Sequence, residues 1–201
     1  MVIMDLIGDM ARTMGLPAIK RAAGVVTRFV PIPQPLLKVG PGAATRLARA
    51  VGDFGHRRLL VVTDAVIVNL GLLEPLTDAL AQAGSAFVVF DEVTPDAPIP
   101  VIERGLSVMR RHRCDAVFAV GGGSVIDAAK VIALAAANRK SPQELAGYFR
   151  ARRGPVPIYA VPTTAGTGSE VTVAAVISDP ERQRKLVVAD TRIVPDMAAL
   201  D

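Results

Sequence analysis

A chain of 201 residues, 51% hydrophobic and 21% charged, can bury one core, or one core plus an appendage, and falls outside the disordered class. The net charge of +4 comes from scattered basic residues, and the densest runs, Arg150–Arg153 and Arg182 with Arg184 and Lys185, are not interleaved with aromatics. That pattern argues against a nucleic-acid partner and suits a small anionic one. A single cysteine, Cys114, excludes an internal disulfide and fits a reducing, cytoplasmic setting, where it is expected to be a small buried hydrophobe.

Residues 1–35 read as an appendage. Ile3, Leu6, Ile7 and Met10 recur at helical spacing among Asp5, Asp9 and Arg12, and Pro31-Ile32-Pro33-Gln34-Pro35 makes a stiff connector. The segment lacks the basic start and apolar core of a secretory signal. Its expected role is docking against the domain or a second subunit, with membrane-surface binding as the alternative. No apolar stretch approaches the roughly 18 residues that a membrane span needs.

From residue 36 an alternation sets in. Leu36–Val39 is a short strand and Pro41–Val51 a helix. Arg58–Thr63 is a strand whose residues Leu59–Val62 form a continuous apolar run, Leu72–Ala83 is a helix closed by Gly84, and Ala86–Phe90 is a strand. A proline-rich loop precedes a helix from Ile99 to about His112. Asp115–Val120 is a strand, Ser124 to about Ala137 a helix, and Val156–Val161 the last apolar strand. Strands apolar on both faces, separated by helices of this length, predict βαβ units in a parallel sheet. The β-branched runs Val171–Ser178 and Lys185–Ala189 flank Asp179-Pro180-Glu181-Arg182 and read as a hairpin appended to that sheet.

Three stretches carry chemistry. Gly121-Gly122-Gly123-Ser124-Val125-Ile126-Asp127-Ala128-Ala129-Lys130 follows a strand and opens a helix. Glycines allow close backbone approach and the helix start offers free N–H groups, so a pyrophosphate is a natural guest. Ile126 occupies the position of the third glycine of G-x-G-x-x-G, so the dinucleotide fingerprint of that type is absent. The plainer alternative is a tight turn with a capping box between Ser124 and Asp127. Asp64, at the end of its strand, can accept from a ribose hydroxyl and repel a 2′-phosphate, or it can cap the next segment. Pro162-Thr163-Thr164-Ala165-Gly166-Thr167-Gly168-Ser169-Glu170 puts hydroxyls and glycines at a strand's carboxyl end, either as a ligand loop or as a polar connection. His56 and His112 lack metal-ligand spacing and are expected on the solvated surface. No motif in the chain holds a metal or pairs a nucleophile with a base.

In this order the three stretches resemble the iron-containing (group III, metal-dependent) alcohol dehydrogenases, from about Leu37 to Asp201. Gly121–Lys130 resembles that family's GGGS-x-x-D-x-AK signature, and Pro162–Glu170 its PTTAGTGSE signature. Glycerol dehydrogenases and dehydroquinate synthases share the triple glycine but not the second string. A sister reductase acting on maleylacetate fits it less well. The resemblance implies an α/β fold, a Rossmann-like parallel sheet flanked by helices with an appended β-hairpin, over residues 36–201. The family's C-terminal all-helical domain, whose Asp and three His hold Fe or Zn, lies beyond this stretch; Asp196 and Asp201 match none of those ligands. It further implies NAD, with NADP possible, an alcohol or aldehyde substrate, and a homodimer in full-length form. Carried over residue by residue, Asp64 matches the adenosine ribose position. Gly121, Gly122, Gly123 and Ser124 match the pyrophosphate loop, and Asp127 a position close to the dinucleotide. Thr163, Thr164, Thr167 and Ser169 match the cofactor-lining loop, and Lys185 the hairpin lysine. The expected function is the NAD(P)-binding part of an alcohol dehydrogenase, inactive without the metal half. A non-catalytic dinucleotide-binding or subunit-association module is the alternative.

Overall fold

A computed structural model of the chain describes residues 33–201; the appendage expected over residues 1–35 lies outside them except for its last three residues. Six strands form one wholly parallel sheet: β1 (Leu36–Val39), β2 (Leu59–Val62), β3 (Phe87–Phe90), β4 (Ala116–Gly121), β6 (Ile158–Pro162) and β9 (Met197–Leu200). Their spatial order is β1-β9-β6-β4-β2-β3. The runs Leu59–Val62 and Ala116–Gly121 are buried throughout, because helices cover both faces of the sheet. On one face α1 (Ala43–Gly52) and α3 (Glu74–Gln82) pack over Leu59, Val61 and Phe118. On the other, α4 (Ile99–Arg111) and α5 (Gly123–Asn138) pack over Leu60, Val62, Val117 and Ala119.

The helices follow their sequence signals. In α1 the buried positions Ala43, Leu47, Ala48 and Val51 fall at helical spacing. The start of α1 has no capping side chain of its own. The Asp201 carboxylate supplies the cap from the end of β9, accepting from the N–H groups of Gly42 at 2.6 Å and Ala44 at 3.1 Å. Asp196 likewise accepts from the Ile158 N–H at 2.8 Å.

Several expectations need correction. Val156–Val161 is not the last strand of the sheet: β9 inserts between β1 and β6. The hairpin β7 (Ala174–Asp179) and β8 (Arg184–Ala189) does not extend the main sheet. It pairs with β5 (Gly147–Tyr148) in a separate three-stranded sheet whose Ala175, Ile177 and Val188 join the core beside α5. Two short helices not named above, α2 (Ala65–Asn69) after β2 and α6 (Pro142–Leu145) after α5, are also present. His56 is half-buried rather than solvated, with Nε2 2.8 Å from the Tyr159 hydroxyl. Burial pushes that hydroxyl's pKa up to about 12. Cys114 is half-buried against the core, where burial raises its thiol to about 11.

Candidate functional site

The chain leaves β2 for β3 on one side, then returns to β4 on the other side of β2. Connections that part in this way open a crevice at the carboxyl ends of the two strands, which is where open α/β sheets bind ligands. A cavity of about 580 Å³ lies there. It is lined by Asp64, Ala65, Val66 and Ile67 after β2, Val93, Thr94 and Pro95 after β3, Gly122–Val125 after β4, and Thr163 and Thr164 after β6. The Thr63 hydroxyl donates to the Val120 carbonyl at 2.7 Å and ties the two strand ends together.

The helix under this crevice begins one residue earlier than expected. Gly121 ends β4, Gly122 is the N-cap, and Gly123 is the first residue of α5. Val125 and Ile126 make the first helical bonds, to the Gly122 carbonyl. The N–H groups of Gly123 and Ser124 therefore have no partner within the helix. No side chain caps this end, so the capping box between Ser124 and Asp127 does not form. The Ser124 hydroxyl oxygen accepts from the Asp96 N–H at 3.1 Å, and Asp127 Oδ2 accepts from the Val176 N–H at 2.9 Å.

The loop above leaves little room for a side chain at either position. A Cβ on Gly122 would sit 3.2 Å from Thr164 Oγ1, and one on Gly123 would sit 3.1 Å from Thr167 Cγ2 and 3.3 Å from Ser169 Oγ. The hydroxyl-rich loop thus lies directly on the glycines, and its Thr163 N–H donates to the Gly121 carbonyl at 3.0 Å. Thr163 and Thr164 reach the cavity, whereas Thr167 and Ser169 pack behind it on Gly123.

Asp64 does what its plainer reading expects and more. It caps α2, accepting from the Ile67 N–H at 2.9 Å, and also lines the cavity. Asp127 stands behind the glycine loop with Oδ1 buried and unpartnered. Burial raises its pKa, against the opposing pull of the Val176 N–H, the Lys130 ammonium and the Ser169 hydroxyl. Lys185 is on the exposed face of β8, where its ammonium meets Asp96 at 2.7 Å.

Sequence reading passed over four contributors. Val66 and Pro95 give the cavity apolar walls, yet neither belongs to a motif. Asp96 connects the glycine motif to the hairpin through space. Lys130, the last residue of the glycine motif, is completely buried and donates to Thr172 O, Thr172 Oγ1 and Ala174 O at 2.8–3.1 Å. Burial lowers its pKa to about 8, against the pull of Asp127 and Glu170.

The fold is an α/β domain with a crevice at its topological switch point. Residues 35–201 match the family model for iron-containing alcohol dehydrogenase, and the chain belongs to that family. It is 36% identical over 173 residues to the NAD-dependent methanol dehydrogenase of Bacillus methanolicus, covering 86% of this chain and 45% of that protein. It is 37% identical over 164 residues to the lactaldehyde reductase of Escherichia coli K12, covering 81% and 43%. Among solved structures, a 1,3-propanediol oxidoreductase superposes with a TM-score of 0.81 at 32% identity, covering 87% of this chain and 46% of that one. The sulfoacetaldehyde reductase of Bifidobacterium kashiwanohense, in complex with NAD+, gives 0.74 at 28%, covering 85% and 46%. The chain thus spans a little under half the length of the relatives it matches.

The described residues fit a dinucleotide: an open helix start, a glycine cradle and an acidic residue share one cavity. Among the described residues no three His, Cys, Asp or Glu side chains gather where they could hold a metal ion. Among the described residues no helix is long and apolar enough to cross a membrane.

Proposed function

We propose that residues 36–201 are the NAD-binding part of a metal-dependent alcohol dehydrogenase, which transfers hydride between an alcohol or aldehyde and nicotinamide. The observation that carries this is the convergence of Asp64, the N–H groups of Gly123 and Ser124, and Thr163 and Thr164 on a single cavity. In this reading the diphosphate takes the free N–H groups at the start of α5, where the helix dipole favours negative charge. Asp64 Oδ1 is engaged by Ile67, which leaves Oδ2 to accept from a ribose hydroxyl. Exposed Val66 and Pro95 offer apolar surface to the adenine. The contribution of these residues is to hold and orient the cofactor, while the substrate and the metal, iron or zinc, would be met by the part of the enzyme that these residues do not supply.

NADH fluorescence titration of the 201-residue chain tests the reading. The expected result is saturable enhancement, weakened by about tenfold or more in Gly123→Ala and lost in Gly123→Val, because a side chain there drives against Thr167 and Ser169 and blocks backbone approach. No saturable signal with the unaltered chain would overturn it.

A further inference from the structure

Between β3 and α4, Asp96 and Ala97 adopt successive left-handed conformations, with φ of 65° and 45°. For alanine this backbone is strained, and such strain persists only where surrounding contacts hold it. Apart from the Ala97 N–H bond to the Thr94 carbonyl, the hydrogen bonds that hold this turn run to the glycine motif and the hairpin. The Asp96 N–H donates to Ser124 Oγ at 3.1 Å, and the Ser178 N–H donates to the Ala97 carbonyl at 3.3 Å. The Lys185 ammonium donates to Asp96 Oδ1 at 2.7 Å, and Lys185 sits opposite Ser178 in the hairpin register. The neighbouring residues Val93, Thr94 and Pro95 form one wall of the cavity. Two short hydrogen bonds and the span of one aspartate separate the Lys185 ammonium from the Ser124 hydroxyl, so the two lie within about 10 Å of each other. A lysine stem can cover most of that distance by changing rotamer.

We infer that Asp96 is a positioning residue that parks Lys185 when the crevice is empty, and that an anionic ligand takes Lys185 from it. This rests on the dinucleotide reading. The pair is suited to exchange, because Lys185 and Asp96 are 62% and 59% exposed, and an ion pair so wet is held weakly. Lys185 has no other hydrogen-bond or ion-pair partner among the described residues. The Asp96 carboxylate therefore competes with the ligand's phosphates for one ammonium. The Asp96 N–H acts differently. It occupies a lone pair of Ser124 Oγ and leaves the hydroxyl hydrogen to point elsewhere, a contact that any residue at position 96 preserves.

Asp96→Asn removes the charge while keeping the N–H and suiting the left-handed backbone; Asp96→Gly does the same with no side chain. Titrated with NADH, both variants are expected to bind about threefold to tenfold more tightly than the unaltered chain. The gain should vanish in the Lys185→Gln background and be absent for adenosine, which carries no phosphate. A purely structural tether would instead weaken NADH and adenosine alike. Unchanged or weaker NADH binding in both variants, or an equal gain without Lys185, overturns the exchange while leaving the dinucleotide reading intact. Failure of the unaltered chain to bind NADH overturns both.

Discussion

Asp64 gives one carboxylate oxygen to the Ile67 N–H and turns its charge toward the cavity, so replacing it tests a cap and a charge together. Glycine is the substitution that separates them, since an N-cap Asp→Gly change costs only a few tenths of a kcal/mol. In Asp64→Gly the fold should persist while the ratio of NADPH to NADH affinity rises by about fivefold, the scale of one partly screened charge repulsion. Paired titrations with the two reduced cofactors measure it, and an unaltered ratio removes Asp64 from cofactor discrimination. The same dual use explains why the glycine motif is only half legible from residues alone. That glycines were needed was readable. That Thr164, Thr167 and Ser169 lie against them could be known only once the loop after β6 was folded onto α5.

At the scale of elements, the junction between α5 and the hairpin is held from below by Lys130 and Asp127. Lys130 bonds the backbone of Thr172 and Ala174, and Asp127 bonds that of Val176, so two residues of the glycine motif fasten β7 and the residues that lead into it. The lysine's pKa is lowered by burial from its ordinary 10.5 to about 8 in the fold. Below pH 8 it is charged both folded and unfolded, and the fold bears the full cost of burying the ammonium. Between about pH 8 and 10.5 the folded chain has released this proton and the unfolded chain still holds it, so this group's contribution to stability rises with pH. Lys130→Met removes the contribution. The stability of the unaltered chain relative to Lys130→Met, from urea denaturation, should therefore increase across that window; a flat difference would show that the lysine does not titrate there. Taking the difference cancels the Cys114 and Tyr159 groups, whose raised pKa values act in the opposite direction.

Across the whole molecule, a ligand that bridges the ends of β2, β4 and β6 binds only the folded chain. Free NADH at about 100 times its Kd should add about 2.7 kcal/mol of stability. For a domain of this size that raises Tm by about 5–10 °C. Differential scanning fluorimetry with and without NADH reads the shift, and an unmoved Tm at that excess would exclude specific binding at the crevice. The sheet that creates the crevice was legible in part. β2, β4 and β6 announce themselves because both their faces are covered, which makes each a continuous apolar run. β9 does not, because Met-Ala-Ala-Leu gains its strand character from lying between β1 and β6, far away in sequence. The hairpin was legible from its β-branched runs, but its partner β5 is a two-residue segment with no signal of its own.

By itself the sequence determined the parallel α/β class, the glycine helix start and the family, because these depend on local periodicity and on contiguous strings of residues. The tertiary structure alone decided that Asp201 caps α1, that the hairpin forms its own sheet, and that Asp96 joins Ser124 to Lys185. Each of those is a contact between side chains and backbone groups distant along the chain. Such contacts depend on which strand lies beside which, and neither composition nor spacing encodes that order.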